Sequence, residues 1–254
     1  MLDDIIAATR MRVPDLDPCA LRARARQLPP ARSLAAALAA PGLSVIAEVK
    51  RQSPSRGVLA PGLDPVGQVG EYAQGGAAAI SVLTEPEFFA GSLADLAAVR
   101  EAVQVPVLRK DFVIDAAQIW ESRVAGADAV LLIVAALTDA ELRRFIEETT
   151  LAGLEALVEV HTDAEAERAL AAGAGIVGVN NRDLTSFTVD LATAESLASA
   201  VADAPVRVAE SGIFTAADAG RMAEAGYQAV LVGEALVTAE DPAALVTELQ
   251  EAGA

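Results

Sequence analysis

The sequence predicts a single (β/α)8 TIM barrel of the α/β class with a short helical N-terminal extension. Three observations predict it. Beyond residue 40, eight short apolar runs alternate with alanine-rich amphipathic segments, and no linker-like stretch follows residue 60. A near-repeat (Gly76-Ala77-Ala78-Ala79-Ile80, Gly126-Ala127-Asp128-Ala129-Val130, Gly173-Ala174-Gly175-Ile176-Val177, Gly226-Tyr227-Gln228-Ala229-Val230) recurs at spacings of 50, 47 and 53, two βα units each time. No Gly-x-Gly-x-x-Gly follows the first run, which disfavours a doubly wound open sheet.

Taken in order, residues 2–12, 17–28 and 33–39 read as short helices broken at Pro14, Pro18, Pro29, Pro30 and Pro41, because proline lacks the N–H a helix interior needs. They form the extension, residues 1–40, expected to pack on the barrel; residues 41–254 form the catalytic barrel. The strand candidates are 43–50, 77–83, 105–110, 128–134, 154–160, 175–180, 205–210 and 229–233. They are rich in Val, Ile, Leu and Ala without strict alternation, as parallel strands covered on both faces should be. Helices are expected over 64–74, 92–102, 115–125, 138–151, 163–172, 190–201, 215–225 and 241–252. Ser92, Asp115, Thr138 and Thr215 are placed to cap four of them. The repeated glycines fall where a helix end turns into a strand, before every second strand.

Composition excludes several function classes. A net charge of −17 argues against nucleic acid or an anionic membrane as partner. An anionic substrate must then be held by a local cluster of donors. One cysteine, Cys19, excludes an internal disulfide, and one histidine, His161, excludes paired-histidine zinc sites. The N-terminus lacks a basic segment followed by a long apolar one, and no run reaches the roughly 18 apolar residues of a membrane span, so a cytoplasmic protein is expected. No obligate protein partner is implied.

The chemistry lies at the strand ends. The chain has only two lysines, Lys50 and Lys110, among its 19 basic residues, and each ends an apolar run. An ammonium can have its pKa lowered toward neutrality, whereas a guanidinium cannot, so the pair suggests acid–base or Schiff-base chemistry. Barrel active sites form at the C-terminal strand ends. Those ends carry Glu48 and Lys50 on one face of strand one, Lys110 on strand three, Glu159 on strand five, Asn180 on strand six, and Glu210 with Ser211 on strand seven. Such groups are costly to bury unless they pair or bind substrate. Gly212 and Gly233-Glu234 follow strands seven and eight, where this fold often holds a phosphate on backbone N–H groups. The polar loop Arg51-Gln52-Ser53-Pro54-Ser55-Arg56-Gly57 brings two arginines that can steer an anion, and Phe88, Phe89 and Phe112 bring scarce aromatic surface.

At this point the chain resembles the indole-3-glycerol phosphate synthase family over nearly the full barrel. The resemblance rests on Ile46-Ala47-Glu48-Val49-Lys50-Arg51-Gln52-Ser53-Pro54-Ser55, Leu83-Thr84-Glu85 with Phe88-Phe89, and Leu108-Arg109-Lys110-Asp111-Phe112. It continues through Val158-Glu159-Val160, Gly178-Val179-Asn180-Asn181-Arg182-Asp183-Leu184, Glu210-Ser211-Gly212-Ile213 and Val232-Gly233-Glu234-Ala235-Leu236. The resemblance implies a carboxy-lyase of tryptophan biosynthesis acting on a small phosphorylated molecule, 1-(2-carboxyphenylamino)-1-deoxyribulose 5-phosphate. Lys110 and Lys50 would be proton donors and electrostatic partners, and Glu159 the general base or acid of the dehydration half. Glu48, Asn180, Glu210 and Ser211 would position the lysines and sugar hydroxyls. Gly212, Gly233 and Glu234, with Lys50 and Ser53, would hold the phosphate. Phe89, Phe112, Leu131, Leu184 and Pro54 would enclose the aromatic ring, with Arg182 near its carboxylate. No metal or organic cofactor is demanded, because the amino-substituted ring supplies the electrons. Read without the resemblance, the residues leave open a Schiff-base aldolase, a phosphoribosylanthranilate isomerase and a non-catalytic phosphosugar sensor.

Overall fold

The computed structural model describes residues 2–184 and 186–253. Each apolar run expected to be a strand forms one: β1 (Ser44–Val49), β2 (Ala79–Leu83), β3 (Val107–Lys110), β4 (Ala129–Ile133), β5 (Glu155–Val160), β6 (Ile176–Asn180), β7 (Val206–Glu210) and β8 (Ala229–Val232). All pair in parallel, each with its neighbours in chain order, and β1 closes on β8 through Ser44↔Ala229 to Ala47↔Val232. The result is the expected (β/α)8 barrel.

Its continuous apolar runs follow from burial on two faces. On β1, Val45, Ala47 and Val49 face the surrounding helices, while Ile46 joins Ala79, Leu108, Leu157 and Val208 inside the barrel. At the C-terminal ends the inward positions turn polar: Ile46 gives way to Glu48, Leu108 to Lys110, Leu157 to Glu159 and Val208 to Glu210. The repeat glycines Gly76, Gly126, Gly173 and Gly226 all adopt positive φ (86°, 99°, 87° and 95°), a conformation that costs other residues 1–2 kcal/mol or so.

The N-terminal segment spans the barrel from end to end. Helix α1 (Leu2–Arg12) sits at the mouth, where Arg12 reaches the buried Glu85 at 3.5 Å. Helix α2 (Pro18–Ala25) lies on the flank: Arg22 hydrogen-bonds Glu148 at 2.7 Å and stacks over Trp120, 5.0 Å from the ring centroid. Helix α3 (Leu34–Leu38) plugs the base. Its Leu34 and Leu38 are fully buried in the interior cluster, and the Ala35 N–H donates to Glu155, the first residue of β5, at 2.7 Å.

The outer helices are α4 (Pro65–Gln74), α5 (Leu93–Ala102), α6 (Ala116–Ala125), α7 (Asp139–Leu151), α8 (Asp163–Ala171), α9 (Ala192–Leu197), α10 (Ala216–Glu224), the short α11 (Glu234–Thr238) and α12 (Pro242–Glu251). Ser92, Asp115, Thr138 and Thr215 cap α5, α6, α7 and α10, the last three through capping boxes. Three departures from expectation stand out. The helix expected over 190–201 is regular only across Ala192–Leu197, after which the chain turns through Ala202 N–H to Ser199 carbonyl contacts. Helix α11 was not expected. The polar loop after β1 is a small antiparallel hairpin pairing Gln52 with Val58 and Ser53 with Gly57. Among the described residues no helix is long and apolar enough to cross a membrane.

Candidate active site

The strand-end groups converge on one cavity at the barrel mouth. Its centre is Lys110. The ammonium lies 2.8 Å from Glu159 Oε2 and 3.1 Å from Glu210 Oε2, both carboxylates being almost wholly buried. Beside it Lys50 donates to Glu48 Oε1 at 2.8 Å, and Ser81 donates to Glu48 Oε2 at 3.3 Å. The two lysines thus share one cavity, each anchored to carboxylates.

The electrostatics revise one expectation. Burial pulls Lys110 down, but Glu159, Glu210 and Glu48 outweigh it, and the ammonium is held above its ordinary value rather than lowered toward neutrality. Burial pushes Glu48 up, yet Lys50 and Lys110 hold it below the usual carboxylate range. Glu210 behaves oppositely. Burial drives it up to about 8, against the pull of Lys110, with Glu159 adding like-charge repulsion. The group poised near neutral pH is therefore the Glu210 carboxyl and not Lys110. Among the described residues, neither Glu210 oxygen accepts a well-aligned hydrogen bond, its contact with Lys110 being a charge contact.

Glu210 fits because Gly178 on β6 has no side chain. A Cβ there would meet Glu210 Oε1 at 2.1 Å. Gly178→Ala should displace the carboxylate from Lys110, lowering kcat by about 10-fold or more, in the range lost with acid–base alignment. Steady-state kinetics beside a melting curve checks this; unchanged kcat in a folded variant contradicts it.

The apolar wall lies next to Lys110. The Phe89 and Phe112 rings are 6.2 Å apart and tilted, with Leu131, Leu184 and Pro54 completing the surface. Glu85, fully buried, accepts N–H bonds from Glu87, Phe88 and Phe89 and so folds the loop after β2 to present Phe89. Phe88 packs against the interior without lining the cavity. On the opposite side, Ser53, Ser211, Gly212, Gly233 and Glu234 line the wall. Ser211 and Gly212 both take positive φ, 66° and 79°. A Cβ at Gly233 would come within 3.0 Å of Lys50 Nζ, so that lysine faces this wall.

Asn180 and Arg182 complete the lining. The Arg182 N–H donates to Asn180 Oδ1 at 2.9 Å, and His161 Nδ1 lies 2.6 Å from the Asn180 carbonyl, bracing the strand end. Arg51 is placed otherwise than expected. It does not line the cavity; its guanidinium forms two bonds to Asp95, at 2.6 and 2.9 Å, which fixes the root of the hairpin. Residues that sequence reasoning missed include Leu2 and Ile5 of α1, Ser55, Asp111, Phe187 and Phe214. Of these, Asp111 carried a local signal. It alternates with Lys110 and pairs with buried Arg109 at 2.9 Å, clamping the outer face of the same strand end.

Comparison with known proteins decides the family. The family model described as indole-3-glycerol phosphate synthase matches residues 2–249. The chain belongs to the indole-3-glycerol phosphate synthase family. An indole-3-glycerol phosphate synthase of Rhodococcus jostii (strain RHA1) is 51% identical over 254 residues, covering 100% of this chain and 94% of its own length. That of Kineococcus radiotolerans is 52% identical over 266 residues, covering 100% and 96%. Solved structures with the same fold include a 3-hexulose-6-phosphate synthase, TM-score 0.65 and 20% identity, covering 84% of this chain and 100% of that one. A thiamine phosphate pyrophosphorylase from Pyrococcus furiosus has TM-score 0.63 and 19% identity, covering 87% and 97%. At that identity the likeness to these two concerns architecture alone. The match to the synthase family, by contrast, runs from the start of α1 into α12.

Proposed function

We propose that the chain catalyses the decarboxylating, dehydrating ring closure of 1-(2-carboxyphenylamino)-1-deoxyribulose 5-phosphate to indole-3-glycerol phosphate, in tryptophan biosynthesis and in the cytoplasm. A new carbon–carbon bond joins the electron-rich ring carbon to the substrate's C2. The carboxyl group leaves as carbon dioxide, restoring aromaticity, and the C2 hydroxyl leaves as water. Family membership supports the reaction. The observation that carries the residue assignments is Lys110 lodged between Glu159 and Glu210 beside an aromatic wall.

In this reading the ring lies against Phe89 and Phe112, with Leu131, Leu184 and Pro54 around it and Arg182 meeting the departing carboxylate. Lys110 hydrogen-bonds the C2 oxygen and protonates it as the ring attacks. Its acidic neighbours, Glu159 first, keep it charged until then, and binding substrate displaces part of that support, which raises its acidity where the proton is needed. Glu159 takes the proton whose loss completes dehydration. Glu210 passes protons between them, since its carboxyl exchanges near neutral pH. Glu48 holds Lys50, and Asn180 and Ser211 orient the sugar hydroxyls. Gly212, Gly233 and the Glu234 backbone, with Lys50 and Ser53, receive the phosphate.

Supplying the anilino-deoxyribulose phosphate and following indole fluorescence tests the reading. Product should accumulate with the wild type; binding without product would instead describe a sensor. Borohydride reduction with substrate present should trap no adduct, as expected of an ammonium kept protonated rather than a Schiff-base nucleophile.

A further inference from the structure

The hairpin after β1 crosses the mouth and is fastened on both sides. At its root Arg51 grips Asp95, and the Leu59 and Ala60 N–H groups both donate to the Arg51 carbonyl. At its tip Ser55 Oγ accepts from Arg182 at 3.2 Å, and Arg56 Nε lies 2.9 Å from Glu234 Oε1. Gly57, with φ of +70°, makes the turn that carries Arg56 across.

The pairing at the tip poses an electrostatic problem. Glu234 lines the wall proposed for the phosphate and is only 17% exposed. A carboxylate there repels a dianion, in a chain already at −17. The two lysines of the cavity are committed, Lys50 to Glu48 and Lys110 to Glu159 and Glu210, while Arg182 donates to Ser55 Oγ and the Phe187 carbonyl. Arg56 is 59% exposed and sits at the hairpin tip. Its charge is felt at the cavity wall, where it opposes, and Glu234 supports, the charge of half-buried Arg182.

We propose that Arg56 is a specificity residue for the phosphate end of the substrate: carried on the hairpin, it neutralises Glu234 so that the phosphate can occupy the adjoining wall. This rests on the phosphate placement above. Substrate then binds beneath a hairpin whose tip is fastened by the same ion pair that makes the wall acceptable to an anion. Without the Arg56 charge Glu234 stands bare against the anion, so acceptance of the phosphate depends on the ion pair at the hairpin tip.

Two variants test it, Arg56→Gln and the double Arg56→Gln/Glu234→Gln, with KM for the anilino-deoxyribulose phosphate and the inhibition constant of inorganic phosphate as readouts. The single variant should raise both by about tenfold or more with kcat within about twofold, because one uncompensated charge near the dianion is worth at least that factor. The double variant should return both to within about threefold of the wild type, since nothing is left to neutralise. Unchanged constants in Arg56→Gln, or a double variant as weak as the single, overturn the proposal. Failure of the functional reading looks different: the wild type then forms no indole product, while its inorganic phosphate affinity, read by thermal shift, still compares the variants.

Discussion

Lys110→Arg lowers turnover by about 10²–10⁴ while the barrel stays folded. The positive charge remains, and a guanidinium can still pair with Glu159 and Glu210. Two things are lost. Arginine holds its proton too tightly to act as an acid, and its planar fork does not fit where a compact ammonium sits 2.8 and 3.1 Å from two buried carboxylates. The measurement is the rate of indole fluorescence under saturating substrate. A variant at full speed would refute general acid catalysis by Lys110, leaving charge as its sole contribution.

Glu210→Gln has the second largest effect, on two observables at once. Activity should fall by about 10², since the amide carries no exchangeable acid proton. Stability should move the other way with pH. In the fold Glu210 titrates at about 8, whereas an unfolded glutamate does so near 4.3. Between those values the folded chain binds a proton that the unfolded chain has released, so wild-type stability drops as pH rises through this window and the loss is complete above about 8. Glutamine does not titrate. The variant's melting temperature relative to wild type should therefore climb from about pH 5 to about pH 8 and then level, a gain on the order of a few kcal/mol. Parallel melting curves across that range would show that Glu210 is ionised in the resting enzyme.

How much of this was legible in the sequence depends on whether local chemistry decides a feature. Strands read well because burial on both faces demands continuous aliphatic runs, and the caps Ser92, Asp115, Thr138 and Thr215 act within one helical turn. The convergence of Glu48, Lys110, Glu159 and Glu210 was legible once the fold was, since a barrel sends all strand ends to one mouth. What stayed hidden is set across distance. Arg51 looked like an anion-steering residue until Asp95, 44 positions away, turned out to hold it. The acidity of Lys110 was misjudged for the same reason: a sequence shows a lysine at a strand end but not that three carboxylates surround it. The two-residue ladder at Gln52–Ser53 is too short to leave a periodicity. The mouth residues Leu2 and Ile5 belong to α1, which meets partners far along the chain: it buries Ile5 and Ile6, and its Arg12 reaches Glu85, 73 positions later.

The N-terminal segment runs as a strap from mouth to base, and an optical reporter on α6 lies beneath its midpoint. Trp120, the sole tryptophan of the chain, lies under Arg22 of α2 and donates its indole N–H to Glu148 at 2.8 Å. Its emission should follow detachment of the strap rather than events among the strand ends. Trypsin cleavage after Arg24 or Arg26 timed against that emission would separate peeling of the strap from collapse of the barrel.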